Sequence, residues 1–160
     1  MERTIRWGVL GCGKIARKVA TAVNFADGAE LAAVASRGLE KAEAFAAEFS
    51  AGRAHGSYEA LADDPDVDVI YVATPHAMHA EHARLALEAG KAVLCEKPFA
   101  VNAAQARAVI DLARRRKLFL MEAMWTRFLP TLVRTRELIA EGAIGEVRLV
   151  AADFGFRSDV

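Results

Sequence analysis

Cysteine is almost missing from this chain: Cys12 and Cys95 are the two among 160 residues. Two cysteines make no disulfide framework, and both read as small buried hydrophobes, so the expected compartment is the reducing cytoplasm. Net charge is missing as well. The 21 Lys and Arg balance 21 Asp and Glu, which argues against a general nucleic-acid or membrane-surface binder. No apolar run approaches the roughly 20 residues that a membrane span needs. The start, Met1-Glu-Arg-Thr-Ile5, has no secretory pattern and is expected to lead straight into a strand. Internal repeats, low-complexity tracts and linkers are also lacking. What remains, 54% hydrophobic and 26% charged residues, is the composition of a soluble domain with a real core.

What is present begins with Thr4 to Ala16, which reads as a strand, a glycine turn and a helix start. Gly11, Gly13 and Ala16 fill the G-x-G-x-x-[G/A] positions of a dinucleotide-binding turn. Gly11 permits a sharp exit from the strand. Gly13 lets backbone N–H groups approach a pyrophosphate, and Ala16 lets the helix pack closely. The candidate phosphate contacts are Gly11, Cys12, Gly13, Lys14 and Ile15, at a helix N-terminus that favours anions. Ile5, Trp7, Val9 and Leu10 supply the strand, and Ile15, Val19 and Val23 supply the helical spacing.

Further along, strand and helix patterns alternate. Strands are predicted at Glu30–Ala35, Arg53–His55, Val67–Ala73, Lys91–Cys95, Leu118–Met121 and Glu146–Phe154. Helices are predicted at Leu39–Ser50, Ala77–Ala89, from the Asn102 cap to Arg116, and from Pro130 to near Gly142, with a short turn at Ser57–Leu61. Gln105 is placed for a capping box with Asn102. Arg114 to Lys117 reads as a basic helix end that complements the dipole. Alternation of this kind specifies a mostly parallel, doubly wound α/β sheet.

Ligands of such sheets bind beyond the carboxyl ends of the strands. The chemically unusual residues fall there: the glycine turn, Ser36 and Arg37, Thr74-Pro75-His76, Glu96-Lys97-Pro98, then Trp125 and Arg127. The end of the second strand is where the adenosine ribose is read. It carries no acid for a 2′-hydroxyl but offers Ser36 and the Arg37 guanidinium, which suit a 2′-phosphate, so NADP is expected over NAD. The competing reading of Arg37 is an ordinary exposed loop residue. His76, His79 and His82 recur every third residue, but no cysteine or carboxylate cluster joins them. They are read as a cofactor loop or a solvated helix face, with no metal.

Gly11-Cys-Gly-Lys-Ile-Ala16, Thr74-Pro75-His76 with His79, and Glu96-Lys97-Pro98 together resemble the glucose-fructose oxidoreductase/inositol dehydrogenase (Gfo/Idh/MocA) family. Gly56–Ala62, Gly90–Pro98 and Met121–Pro130 are similar to its branch of dimeric dihydrodiol dehydrogenases, also known as D-xylose 1-dehydrogenases (NADP). The resemblance implies a two-domain oxidoreductase. Residues 1–122 would form the cofactor-binding Rossmann domain, and residues 123–160 the start of a substrate and oligomerisation domain whose remainder is absent. A homo-oligomer is expected of the full-length protein. The reaction implied is hydride transfer between nicotinamide and the hydroxyl carbon of a sugar or cyclic diol. Lys97 is the candidate catalytic residue, sharing the hydroxyl proton, holding the nicotinamide ribose, or both. Glu96 would bind that ribose, with a surface carboxylate as its other reading, and Thr74, Pro75 and His76 would flank it. His79 is either a cofactor-loop position or an ordinary helix residue. Trp125, Arg127 and Phe154 would line the pocket, with core packing as the other reading of Trp125. A module that binds NAD(P) without turning it over, or an inactive fragment, is the alternative. A third expectation is that strand 146–154 pairs with another chain.

Overall fold

A computed structural model describes residues 3–155 and divides into two compact units, Met1–Ala123 and Met124–Val160. In the first, strands and helices alternate: β1 (Ile5–Leu10), α1 (Lys14–Phe25), β2 (Ala29–Ala35), α2 (Leu39–Phe49), β3 (Arg53–His55), α3 (Tyr58–Ala62), β4 (Val69–Val72), α4 (His79–Glu88), β5 (Ala92–Cys95), α5 (Ala103–Arg116) and β6 (Leu120–Glu122). Every strand pairing is parallel, in the order β3-β2-β1-β4-β5-β6. This is the doubly wound sheet that the alternation predicts.

Burial on both faces explains the unbroken apolar runs of the central strands. On one face Leu10, Ile70, Val72 and Val93 pack with Leu61, Leu87 and Val109 from α3, α4 and α5. On the other, Val9, Val34 and Tyr71 pack with Ala16, Val23 and Phe45 from α1 and α2. Local signals fix the helix starts. Ser57 Oγ accepts the Ala60 N–H at 3.1 Å, and Asn102 Oδ1 accepts the Gln105 N–H at 3.0 Å. Each such cap stabilises its helix by about 1 kcal/mol. The Gln105 side chain reaches back to the Val101 N–H at 3.3 Å rather than to that of Asn102, so the predicted capping box closes one residue early.

Two other expectations need correction. The sixth strand is Leu120–Glu122 rather than 118–121. The Leu118 N–H is still engaged by the Ala113 carbonyl at the end of α5, so the chain turns extended two residues later than its apolar run suggests. The predicted strand at Glu146–Phe154 does not form, since residues 146–155 carry no strand. Alternating Val147, Leu149 and Ala151 supply a face, but only a paired neighbour turns an extended segment into a strand. The second unit holds a 3₁₀ turn, Trp125–Phe128, and one helix, α6 (Pro130–Ala140), with Pro130 in its first turn.

Near the amino ends of the strands, charge does structural work. Asp68 Oδ2 accepts the Arg6 backbone N–H at 2.9 Å and Arg6 Nε at 3.1 Å. Its Oδ1 accepts Arg6 Nη2 at 3.0 Å and Arg3 Nη2 at 2.6 Å. These bonds, those to Arg6 foremost, hold the Asp68 carboxyl down to about 2. A carboxyl held below its unfolded value stabilises the fold above that value, and the contribution fades as pH falls through the folded one. Asp68→Asn is therefore expected to cost about 1–2 kcal/mol at pH 7, after allowance for the pair's partial exposure. Denaturant titrations of variant and parent should converge as the pH falls from about 5 toward 2.

Candidate functional site

The register places the strand carboxyl ends level. Leu10 lies opposite Ala35 and Val72, Val72 opposite Cys95, and Cys95 opposite Glu122. The turns after β1, β2, β4 and β5 therefore open from one edge. The chain leaves β1 toward β2 on one side and returns to β4 on the other, and that reversal leaves a crevice above β1.

The glycine turn forms the floor of this crevice. Gly11 has φ +102°, and a Cβ there would lie 2.9 Å from the Ala73 carbonyl oxygen, so both conformation and packing exclude a side chain. Gly13 differs. A Cβ on it would meet nothing nearer than the Ala73 oxygen at 3.9 Å, so protein packing alone does not require the glycine. The space it leaves is open to a ligand. Ala16 is fully buried against the sheet, while Lys14 and Ile15 are exposed. Gly13 is the N-cap of α1, which has no side-chain cap bond and no acid in its first turn, and this leaves its N–H groups and positive dipole end for an anion. Cys12 is buried, with its thiol donating toward the Ala35 carbonyl at 3.5 Å. Burial pushes that thiol up.

Beside the floor lies a cavity of about 370 Å³ whose lining includes Arg37, Ser57, Tyr58, Pro75, Met78 and His82. It joins the turns after β2, β3 and β4. Arg37 is exposed, and Ser36 beneath it is buried, with its N–H donating to the His55 carbonyl at 3.2 Å. The Tyr58 ring stands edge-on to His82 at 4.7 Å, and a His82 ring nitrogen lies 2.9 Å from Thr74 Oγ1. Sequence reasoning missed Ser57 and Tyr58 as members of this wall. The available signal was their place immediately after the carboxyl end of β3.

The opposite wall is Glu96-Lys97-Pro98. Lys97 is exposed, and its amine makes no hydrogen bond or ion pair among the described residues. Glu96 is buried. One of its oxygens accepts from the Tyr71 hydroxyl at 2.5 Å, and the other accepts the Lys97 backbone N–H at 3.0 Å. Burial, with Glu96 alongside, pushes the Tyr71 phenol far above its ordinary value, so it remains a donor. The Lys97–Pro98 bond is cis. His79 is fully buried, with ring nitrogens 2.7 Å from the Pro98 carbonyl and 2.8 Å from that of Thr74.

His76 is exposed, its ring edge-on to that of His79 at 5.5 Å. His79 and His82 are buried in α4 and both meet Thr74, one at its carbonyl and one at its hydroxyl, so the run is not a solvated helix face. No group of three or more His, Cys, Asp or Glu side chains suited to a metal occurs among the described residues. Thr74 is buried and Pro75 exposed at the crevice edge. Trp125 and Arg127 are exposed on the 3₁₀ turn of the second unit. No helix is long and apolar enough to cross a membrane among the described residues.

The family profile described as "Oxidoreductase family, NAD-binding Rossmann fold" matches residues 5–124. The chain belongs to the Gfo/Idh/MocA oxidoreductase family. Among its curated relatives, the trans-1,2-dihydrobenzene-1,2-diol dehydrogenase of Mus musculus is 47% identical over 154 residues, covering 95% of this chain and 46% of the relative. The chain thus spans about half the length of the curated relatives it matches. Among solved structures, an NAD-binding oxidoreductase from Klebsiella pneumoniae superposes with a TM-score of 0.84 at 34% identity, covering 89% of this chain and 40% of that one. A 3-ketoreductase from Actinomadura kijaniata, in complex with NADP and TDP-benzene, gives 0.83 at 37% identity, covering 91% of this chain and 45% of the other. Within the Gfo/Idh/MocA chain, the matched span holds the glycine turn, Arg37, Thr74 to His76 and Lys97.

Proposed function

We propose that this chain is the cofactor-binding portion of an NADP-dependent oxidoreductase that acts on the hydroxyl carbon of a sugar or cyclic diol. The observation that carries the proposal is the convergence of the turns at 11–15, 36–37, 74–76 and 96–98 on one sheet edge, with an unengaged lysine amine among them. The residues fit a dinucleotide. The open space at Gly13 and the uncapped start of α1 suit the pyrophosphate. Arg37, at the tip of β2 with no carboxylate in Ser36-Arg37-Gly38, suits a 2′-phosphate. The cavity bounded by Arg37, Tyr58 and His82 suits the adenosine end. The dehydrogenase names of the relatives, and the NADP bound in one structural neighbour, support the same reading.

In this reading residues 1–122 hold the cofactor, and residues 123–160, with Trp125 and Arg127, begin a substrate and oligomerisation domain. The full-length protein is then a homo-oligomer. Glu96 and Thr74 to His76 bind the nicotinamide ribose. The bound cofactor supplies or accepts the hydride. Lys97 takes the hydroxyl proton as the carbon is oxidised and returns it in the reverse direction. The two unpaired, buried thiols support a reducing, cytoplasmic setting.

Fluorescence titration with NADPH and NADH tests the cofactor assignment. NADPH is expected to bind more tightly, and Arg37→Asp to weaken NADPH about 10- to 100-fold through loss of a charged partner for the 2′-phosphate. NADH should change far less. Equal weakening of both, or tighter binding of NADH by the unaltered chain, would overturn the NADP assignment.

A further inference from the structure

Lys97 presents a mechanical problem. Its side chain is long, flexible and without a partner among the described residues. Whatever aims its amine at a substrate oxygen must act through the backbone from which it grows.

That backbone is held on both sides. Upstream, Glu96 is nine-tenths buried and both its oxygens are occupied, one by the Tyr71 hydroxyl at 2.5 Å and one by the Lys97 N–H at 3.0 Å. Tyr71 is fully buried in the middle of β4, so its ring has no freedom to follow a moving loop. Packing alone would be served by phenylalanine at that position. The hydroxyl adds one hydrogen bond, and it goes to Glu96. Downstream, the Pro98 carbonyl meets the His79 ring at 2.7 Å, and the same ring meets the Thr74 carbonyl at 2.8 Å. Carbonyl oxygens only accept, so the ring is the donor. With one proton it serves one of the two carbonyls, and with two protons it serves both. His79 thereby spans the turns after β4 and β5, the two that flank the nicotinamide end. One residue further, the Phe99 N–H is taken by Glu122 Oε1 at 2.8 Å. Every residue from Glu96 to Phe99 except Lys97 is tied by a side chain from β4, α4 or β6.

We propose that Tyr71 and His79 are positioning residues that clamp the backbone on either side of Lys97 and so hold Glu96 and Lys97 against the nicotinamide half of the cofactor. The inference rests on the cofactor reading given above. It assigns a role to Tyr71, which otherwise passes for core. It also gives His79 a purpose other than contact with the cofactor, from which its full burial and occupied ring nitrogens separate it. Side chains that place a functional group without touching the ligand act by removing conformations in which the group points elsewhere.

The clamp sits at one end of the dinucleotide, and the test uses that asymmetry. The 160-residue chain, Tyr71→Phe and His79→Gln are each titrated with NADPH by fluorescence and with 2′,5′-ADP by calorimetry. The second ligand keeps the adenosine and its 2′-phosphate but lacks the nicotinamide half. The expected result is NADPH weakened about 5- to 30-fold in both variants, with 2′,5′-ADP unchanged within about 2-fold, less than one ordinary hydrogen bond. Tyr71→Phe is isosteric and is expected to fold. It keeps the test decisive if His79→Gln does not. Unchanged NADPH affinity in Tyr71→Phe would overturn the inference, as would an equal loss for both ligands, which marks a general defect of the fold. If the unaltered chain binds neither ligand, the cofactor reading itself fails, and the inference falls with it.

Discussion

On the proposed reading, Lys97→Met in the full-length protein is expected to lower turnover about 100- to 10,000-fold, the range in which a positioned proton-transfer group contributes, while NADPH affinity changes much less. Methionine keeps the length and the apolar stem of lysine and removes the proton-carrying amine. The amine has no bond to lose among the described residues, so the fold should be indifferent to the change. Lys97→Arg should not restore activity, because guanidinium does not give up its proton in a protein. Steady-state kcat and a separately measured NADPH Kd decide the matter. A drop in kcat at nearly constant Kd assigns the amine to proton transfer. A loss of NADPH affinity as large as the loss of turnover would instead reduce Lys97 to a holder of the nicotinamide ribose.

The second large effect is expected at the glycine turn, where two substitutions two residues apart should behave differently. Gly11→Val meets both a φ of +102° and a backbone oxygen 2.9 Å from the new Cβ. Backbone strain of this kind costs on the order of 1–3 kcal/mol before the clash is added. At roughly 2–4 °C per kcal/mol for a chain of this size, a fall in Tm of about 5–15 °C follows, together with loss of cofactor binding. Gly13→Ala meets neither obstacle, since its φ is −94° and its nearest contact 3.9 Å. It should keep the Tm within a few degrees and still weaken NADPH, because the added methyl occupies the space left for the pyrophosphate. Thermal denaturation beside NADPH titration separates the two. A Gly13→Ala chain that binds NADPH normally would remove Gly13 from the site.

Much of this arrangement is legible in the sequence, for physical reasons that also mark where legibility ends. Gly11 announces itself because its exit from a strand demands a conformation that few residues tolerate. Arg37 and Lys97 announce themselves because charged residues directly after apolar runs must sit at strand ends. Asn102 is a cap whose bond spans three residues. All of these are local. Tyr71 and Glu96 are 25 residues apart, and nothing in either neighbourhood names the other. The one available hint was a phenol inside Val69-Ile-Tyr-Val72, a run otherwise without a donor, whose hydroxyl had to find a partner. His79 was ambiguous for the same reason, since spacing gives a helix face but not which face is buried. Glu146–Phe154 failed in the opposite direction. Its alternation is a sound local signal, but strand formation is a property of pairs.

The strand order carries a further meaning in time. β1 takes β2 on one side, but its other neighbour, β4, pairs through Trp7 and Val69, some 60 residues later in the chain. During synthesis at roughly 5–20 residues per second, β1 therefore waits on the order of 3–12 seconds for its second partner, and the Lys97 loop is made later still. Over that interval the glycine turn lacks Ala73, the residue against which Gly11 packs. On the proposed reading, cofactor cannot guide the early steps of folding, because Pro75, Met78 and His82 of the adenosine cavity are made only after β4. Both ends of the proposed dinucleotide site are thus completed late, the adenosine cavity at His82 and the nicotinamide wall at Pro98.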